Sequence, residues 1–111
     1  MIQPPLAVTC GDPSGIGLEV FFAAHKQIGH DIPMVLFADR KHLPNNVNMT
    51  PWSPNLTKDF ESSVVLYQID FANPVVPGKA DPQNAAGVIR AIECAVDCAL
   101  EGKVAGLCTA P

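Results

Sequence analysis

The densest run of residues able to do chemistry is "TCGDPSGIGLEV", Thr9 to Val20, which gathers three glycines, the carboxylates of Asp12 and Glu19 and the hydroxyl of Ser14. A glycine-rich turn ahead of a helix can hold a phosphate on free backbone amides. Two phosphate motifs are testable on spacing. The P-loop needs four residues between its glycines and a following Lys, but Gly11 and Gly15 are separated by three and no Lys follows. The dinucleotide fingerprint finds its first pair in Gly15-Ile16-Gly17, but Val20 stands at the third glycine position. What remains is a turn from a strand into a helix N-terminus, where an anion gains only ~0.3 to 1 kcal/mol per exposed charge. Asp12 and Glu19 already supply negative charge there. A purely structural turn and a ligand-adjacent turn both stand on the residues alone. Asp12 can orient a cofactor hydroxyl or cap the Gly15 or Ile16 amide, and the cap is the better reading. Ser14 has no base in its motif, so it is not read as a nucleophile.

The remaining chemistry-bearing residues are scattered. His25, His30 and His42 show neither the i, i+4 pairing nor the added carboxylate of a zinc site, and are read as surface or boundary histidines. Cys94 and Cys98 are four apart on one helix, too few for a structural zinc, and are read as small buried or half-buried thiols. Cys10 and Cys108 end strands at one edge and approach each other if those strands are neighbours; all four cysteines are read as reduced. Trp52, between Pro51 and Pro54, is read as a cover over its own core.

The elements that would position these groups follow from hydrophobic pattern. "LAVTC" (6–10), "MVLFAD" (34–39), "SVVLYQID" (63–70) and "VAGLCTA" (104–110) are short apolar runs suited to strands of a parallel sheet buried on both faces. Residues 18 to 28 repeat apolar positions at helical spacing, and Gly29 closes that helix. Residues 40 to 62, with three prolines and several Asn, read mostly as irregular surface. Asp81-Pro82 opens a second helix, with Asp as N-cap and Pro where the missing N–H costs nothing. Ala85, Ile89, Ile92, Val96 and Ala99 form its expected core stripe, opposite Arg90, Glu93, Asp97 and Glu101; Gly102 ends it. The order β, α, β, irregular, β, α, β predicts an α/β fold with a mostly parallel sheet and crossover helices.

Composition bounds the function. The chain has 111 residues, 48% of them apolar, and a formal net charge of −4, so one modest core is possible and no basic face invites nucleic acid or an anionic membrane. No signal or transit pattern opens it and no apolar run approaches the ~20 residues of a membrane helix, so a cytoplasmic location is expected. A buried strand followed directly by Pro111 leads to the expectation that residues 1–111 are one α/β segment of a longer enzyme.

Two anchors carry a resemblance. "GDPSGIGLE" (11–19) resembles the G-D-P-[AS]-G-I-G-P-E signature of 4-hydroxythreonine-4-phosphate dehydrogenases, with Leu18 in place of the usual Pro. "GKADPQNAAGVIRAIECAVDCALEGKVAGLCTAP" is similar to that family's Ala-rich helix and its T-A-P-[IV]-[NH]-K strand end. A more distant similarity reaches the isopropylmalate and isocitrate dehydrogenases. The resemblance implies their two-domain fold, NAD as cofactor at Asp12, Gly15 and Gly17, a divalent metal (Zn, Mg or Co) held by three histidines, and a homodimer. It further implies oxidation and decarboxylation of a phosphorylated substrate, 4-phosphooxy-threonine, on the way to pyridoxal phosphate. The family's metal histidines, its G-H-T-[ED] motif and the Lys of T-A-P-x-x-K have no counterpart in 1–111, so no catalytic or metal residue is assigned and the segment alone is expected to be inactive. A related sugar-acid phosphate dehydrogenase and a free-standing α/β binding module without catalysis are the rival readings.

Overall fold

The computed structural model describes residues 3–111. Five strands form one sheet in which every pair is parallel: β1 (Leu6–Thr9), β2 (Met34–Ala38), β3 (Met49–Pro51), β4 (Val64–Gln68) and β5 (Gly106–Thr109). Their spatial order is β3-β4-β2-β1-β5. Helix α1 (Gly17–Ile28) links β1 to β2, and α2 (Ala85–Leu100) carries the chain from the β4 side back across to β5. An α/β fold with a parallel sheet and crossover helices is therefore what forms.

Parallel strands want cover on both faces, and the centre of the sheet has it. All five residues of β2 are buried, and Val35, Leu36 and Phe37 join Ala7, Val65 and Phe71 in the core. Strand alternation puts Ala7, Thr9, Phe37 and Tyr67 on one face. Phe37 stacks on Tyr67 with ring centroids 4.5 Å apart, and Trp52 leans on both. Trp52 thus covers its own core, as its place among prolines predicts.

Two sequence expectations are corrected here. Residues 49–51 form a fifth strand, β3, inside the stretch read as irregular; Met49 pairs with Val64 and Thr50 with Val65, although Pro51 ends the run. An edge strand tolerates that proline because its outer N–H need not be paired. The second correction concerns α2. Its sheet-facing residues are Gly87, Ala91, Ala95 and Cys98, all buried, whereas Ala85, Ile89 and Val96 of the predicted stripe are exposed and Ile92 and Ala99 only half-buried. Small side chains let this helix sit close over β1 and β5, and the larger ones are turned outward.

The stop of α2 is as the sequence indicates, but its start is not: α2 begins at Ala85 after Asn84, which makes no side-chain cap, and Asp81 caps the 3-10 turn that precedes it. Asp81 accepts from the Gln83 amide at 2.9 Å and leads a 3-10 turn over Pro82–Asn84 into the helix. Gly102 leaves it with φ +74, a backbone conformation that costs glycine little.

Candidate functional site

In an open parallel sheet, ligands bind beyond the carboxyl ends of the strands, where successive connections leave in opposite directions. That point lies between β1 and β5: from β1 the chain moves outward through β2, and it returns by α2 to β1's other side. The Gly11–Gly17 turn stands directly above it. Beside the turn, Asp12 and Pro13 join Ala80, Asp81, Pro82, Asn84, Ala85, Val88 and Ile89 around a shallow, mostly apolar cavity of about 380 Å³.

The turn is built from local bonds. Asp12 Oδ1 accepts from the Ser14 amide at 2.9 Å and from the Ser14 hydroxyl at 2.7 Å, and the Gly15 amide donates to the Asp12 carbonyl at 3.0 Å. Asp12 therefore does cap the turn, but at Ser14 and not at the Gly15 or Ile16 amide. The Ser14 hydroxyl therefore has a carboxylate within hydrogen-bond reach, against the expectation that its motif holds no base; that oxygen also accepts from the Ser14 amide and Ser14 is buried, which makes the pair a turn-closing contact. The Gly78 amide, from the loop before α2, donates to the Ser14 carbonyl at 2.9 Å and ties the two loops together.

Two glycines of the turn are required by the chain itself. Gly11 sits at φ +67, and a Cβ there would lie 2.4 Å from the Ala110 and Pro111 carbonyl oxygens. A Cβ on Gly17 would lie 2.4 Å from the Cys10 carbonyl oxygen and 2.8 Å from that of Pro111. The end of the β5 run thus presses on the turn, held by the Ala110 amide donating to the Thr9 carbonyl at 3.0 Å. Gly15 is different: it is exposed and faces outward. Helix α1 begins after Ile16 with no side-chain cap, so no side chain occupies its first-turn amides. Asp12, Gly15 and Gly17 are thus brought together at one helix entrance, with Gly17 buried beneath it.

Asp39, which sequence reading treated only as the end of a strand, is the most heavily bonded carboxylate nearby. It ends β2 about where dinucleotide folds place a ribose-binding acid, and that position was the available signal. Here its oxygens are already occupied. Oδ2 accepts from the Phe71 amide at 2.8 Å and pairs with Lys41 Nζ at 3.0 Å, while Oδ1 accepts from the Lys41 amide at 2.9 Å and Gln68 Nε2 at 3.1 Å. Burial alone would raise its pKa, but these donors outweigh it and bring the carboxyl down to about 2. Asp39 is a clamp between β2 and the loop at Phe71. Asp81 is likewise committed, accepting from Asn73 Nδ2 at 2.9 Å as well as from Gln83, and its pKa is lowered by those two bonds.

The histidines do not converge. His25 Nε2 lies 2.8 Å from the Phe60 carbonyl and shares a cavity of about 450 Å³ with His30, beside the start of β4 and away from the glycine turn. His42 is buried, edge-on to Phe71, with Nε2 2.8 Å from the Asn73 carbonyl; the surface or boundary reading is wrong for it, because the 3-10 turn at Arg40–His42 folds it under the Phe71 loop. Among the described residues no three His, Cys, Asp or Glu gather in a way that could hold a metal. The thiols are free. β1 and β5 are neighbours, but Cys108 pairs with Val8 and not Cys10, and burial pushes the Cys10 thiol up to about 11.

These features define a class: a parallel α/β unit with a glycine turn at the carboxyl end of its first strand and a committed carboxylate network beside it. No family model matches the chain. Curated relatives do. The chain is 39% identical to a 4-hydroxythreonine-4-phosphate dehydrogenase of Ruegeria sp. over 96% of its own length and 33% of that protein's. It is 33% identical to the enzyme of that name from Caulobacter vibrioides over its whole length and 35% of the relative's. Among solved structures, the 4-hydroxythreonine-4-phosphate dehydrogenase of Klebsiella pneumoniae superposes with a TM-score of 0.85 at 25% identity, covering 98% of this chain and 37% of that one. The Burkholderia phymatum protein of that description gives 0.80 at 18% identity, over 98% and 36%. The chain is homologous to 4-hydroxythreonine-4-phosphate dehydrogenases and spans about a third of their length.

Proposed function

We propose that this chain, one α/β segment over 1–111, supplies the cofactor-side third of a cytoplasmic NAD-dependent dehydrogenase. Its reaction would be the oxidation, with decarboxylation, of 4-phosphooxy-threonine in pyridoxal phosphate synthesis, within a homodimer. The observation that carries this reading is the 39% identity to the Ruegeria relative across nearly the whole chain, which includes the glycine turn at the ligand edge. At that turn, Asp12 fixes the loop through Ser14 and lines the apolar cavity, Gly15 is exposed, and Gly17 brings α1 close to β1, with no side chain capping the first turn of α1. Asp12 and Asp81 make that cavity a better neighbour for hydroxyls and an uncharged ring than for a phosphate.

The metal does not fit residues 3–111, since no ligand cluster forms among them. On this reading the segment alone is inactive. Two measurements test it. The isolated chain, given NAD, a divalent metal and phosphorylated hydroxythreonine, reduces no NAD. A chimera in which residues 1–111 replace the matching third of the Ruegeria enzyme does reduce it, and an inactive but folded chimera overturns the proposal.

A further inference from the structure

Two of the four thiols open into one cavity. Cys94, half-buried, and Cys98, buried, line a space of about 260 Å³ that is walled by the rings of Trp52 and Tyr67. Cys10 and Cys108 lie outside it, and none of its lining residues borders the cavity beside the glycine turn. Standing four apart on one helix, the two cysteines have Cβ atoms about 5–6 Å from each other. That is too far for a disulfide, whose Cβ atoms approach to about 3.5–4.5 Å. It suits two sulfurs that meet at a single ion, because two metal–thiolate bonds of about 2.3 Å each hold the sulfurs up to ~4.6 Å apart.

We propose that Cys94 and Cys98 form a two-coordinate site for a soft monovalent metal ion of the copper(I) type. The donor set selects that class. Thiolates favour copper(I), whereas a structural zinc takes four ligands, and among the described residues no three His, Cys, Asp or Glu gather to hold an ion. Asp97 and Glu101 also border the cavity, but carboxylate oxygens are hard donors that suit a different kind of cation, and Glu101 is paired with Lys103 Nζ at 2.9 Å. Binding displaces one proton from each thiol, so a neutral dithiol and a monovalent cation become an anionic centre and two released protons. Burial holds the Cys98 thiol above its ordinary range, while the Lys103 ammonium pulls the other way and favours the thiolate that the ion requires. The helix supplies the spacing and the aromatic walls limit access of water.

The test titrates the reduced 111-residue chain with copper(I), in the absence of oxygen, against bicinchoninate, a chromophoric chelator of that ion. One equivalent passes to the protein with release of two protons, and the emission of Trp52, the single tryptophan of the chain, is quenched to an end point at that equivalent. Cys94→Ser and Cys98→Ser each weaken retention roughly tenfold or more by removing one of two soft donors, and both abolish the quenching. Cys108→Ser, outside the cavity, changes neither. Cys94 is only half-buried, so its variant keeps the melting curve of the parent and decides the matter even if Cys98→Ser does not fold. Equimolar zinc(II) displaces no copper(I). Failure of the ion to transfer, full retention by Cys94→Ser, loss of binding in Cys108→Ser, or displacement by zinc(II) overturns the proposal. So does complete formation of a Cys94–Cys98 disulfide in the folded chain under a mild oxidant, since thiols that close together would not be spaced for an ion. These readouts need no turnover and are independent of the catalytic reading.

Discussion

The two flanks of β1 are unlike. On one side, β2 and β4 are covered above and below: β2 is buried throughout, Phe37 is held between Tyr67 and Trp52, and Asp39 fastens the strand end to the Phe71 loop. On the other, β5 pairs with β1 over four residues and then stands open, with three of them exposed and an apolar helix stripe turned away from the sheet. One flank is a finished core and the other is left exposed. The difference follows from side-chain size on α2, because Ala91 and Ala95 fill the close contact and leave nothing for Ile89 or Leu100 to pack against.

That contrast can be broken, and the largest effect is expected in the finished flank. Phe37→Ala should cost ~3 to 5 kcal/mol in denaturant unfolding, as for other fully buried aromatics; a loss below about 1 kcal/mol would erase the distinction between the flanks. Ala95→Leu, at a fully buried position where α2 meets the sheet, should cost up to ~3 kcal/mol by overpacking, and a neutral result in the melting curve would mean that α2 is loosely seated.

Acid titration sharpens the same flank. The Asp39 carboxyl lies at about 2, below its ordinary 3.8. The carboxylate clamp therefore contributes its full stability above about pH 4 and loses it as the pH falls through about 2. The contribution is about 2 kcal/mol on the linkage of pKa to folding, and Asp39→Asn should flatten the acid limb of stability against pH. The smallest effect belongs to the open flank: Leu100→Ala should change the stability of the isolated chain by less than ~0.5 kcal/mol, whereas a loss comparable to that of Phe37→Ala would show that the stripe is already packed.

Much of this was readable in the residues. The strands around 6–10, 34–39 and 63–70, both helices, the Asp81 cap and the Gly102 exit follow from local rules, since apolar runs, capping oxygens and glycine φ act within a few residues of themselves. β3 was hidden because a three-residue strand ending in proline has no periodicity to display; it exists only because β4 offers an edge. His42 was misread for a similar reason, its burial coming from the Phe71 loop far along the chain. At the candidate site, the sequence located Asp12, Gly15 and Gly17 on one turn but not their tasks. Gly17 answers first to the Cys10 carbonyl and then to Pro111, and Asp12 answers to Ser14.

The sequence by itself determined the class of fold, the glycine turn after its first strand and the kinship that turn signals, because each is written in neighbouring residues. The tertiary structure decided which of two apolar stripes on α2 meets the sheet. Periodicity gives every stripe on a helix an equal claim, and only the close approach of the sheet at Ala91 and Ala95 and of the Phe71 ring at Gly87 chooses between them.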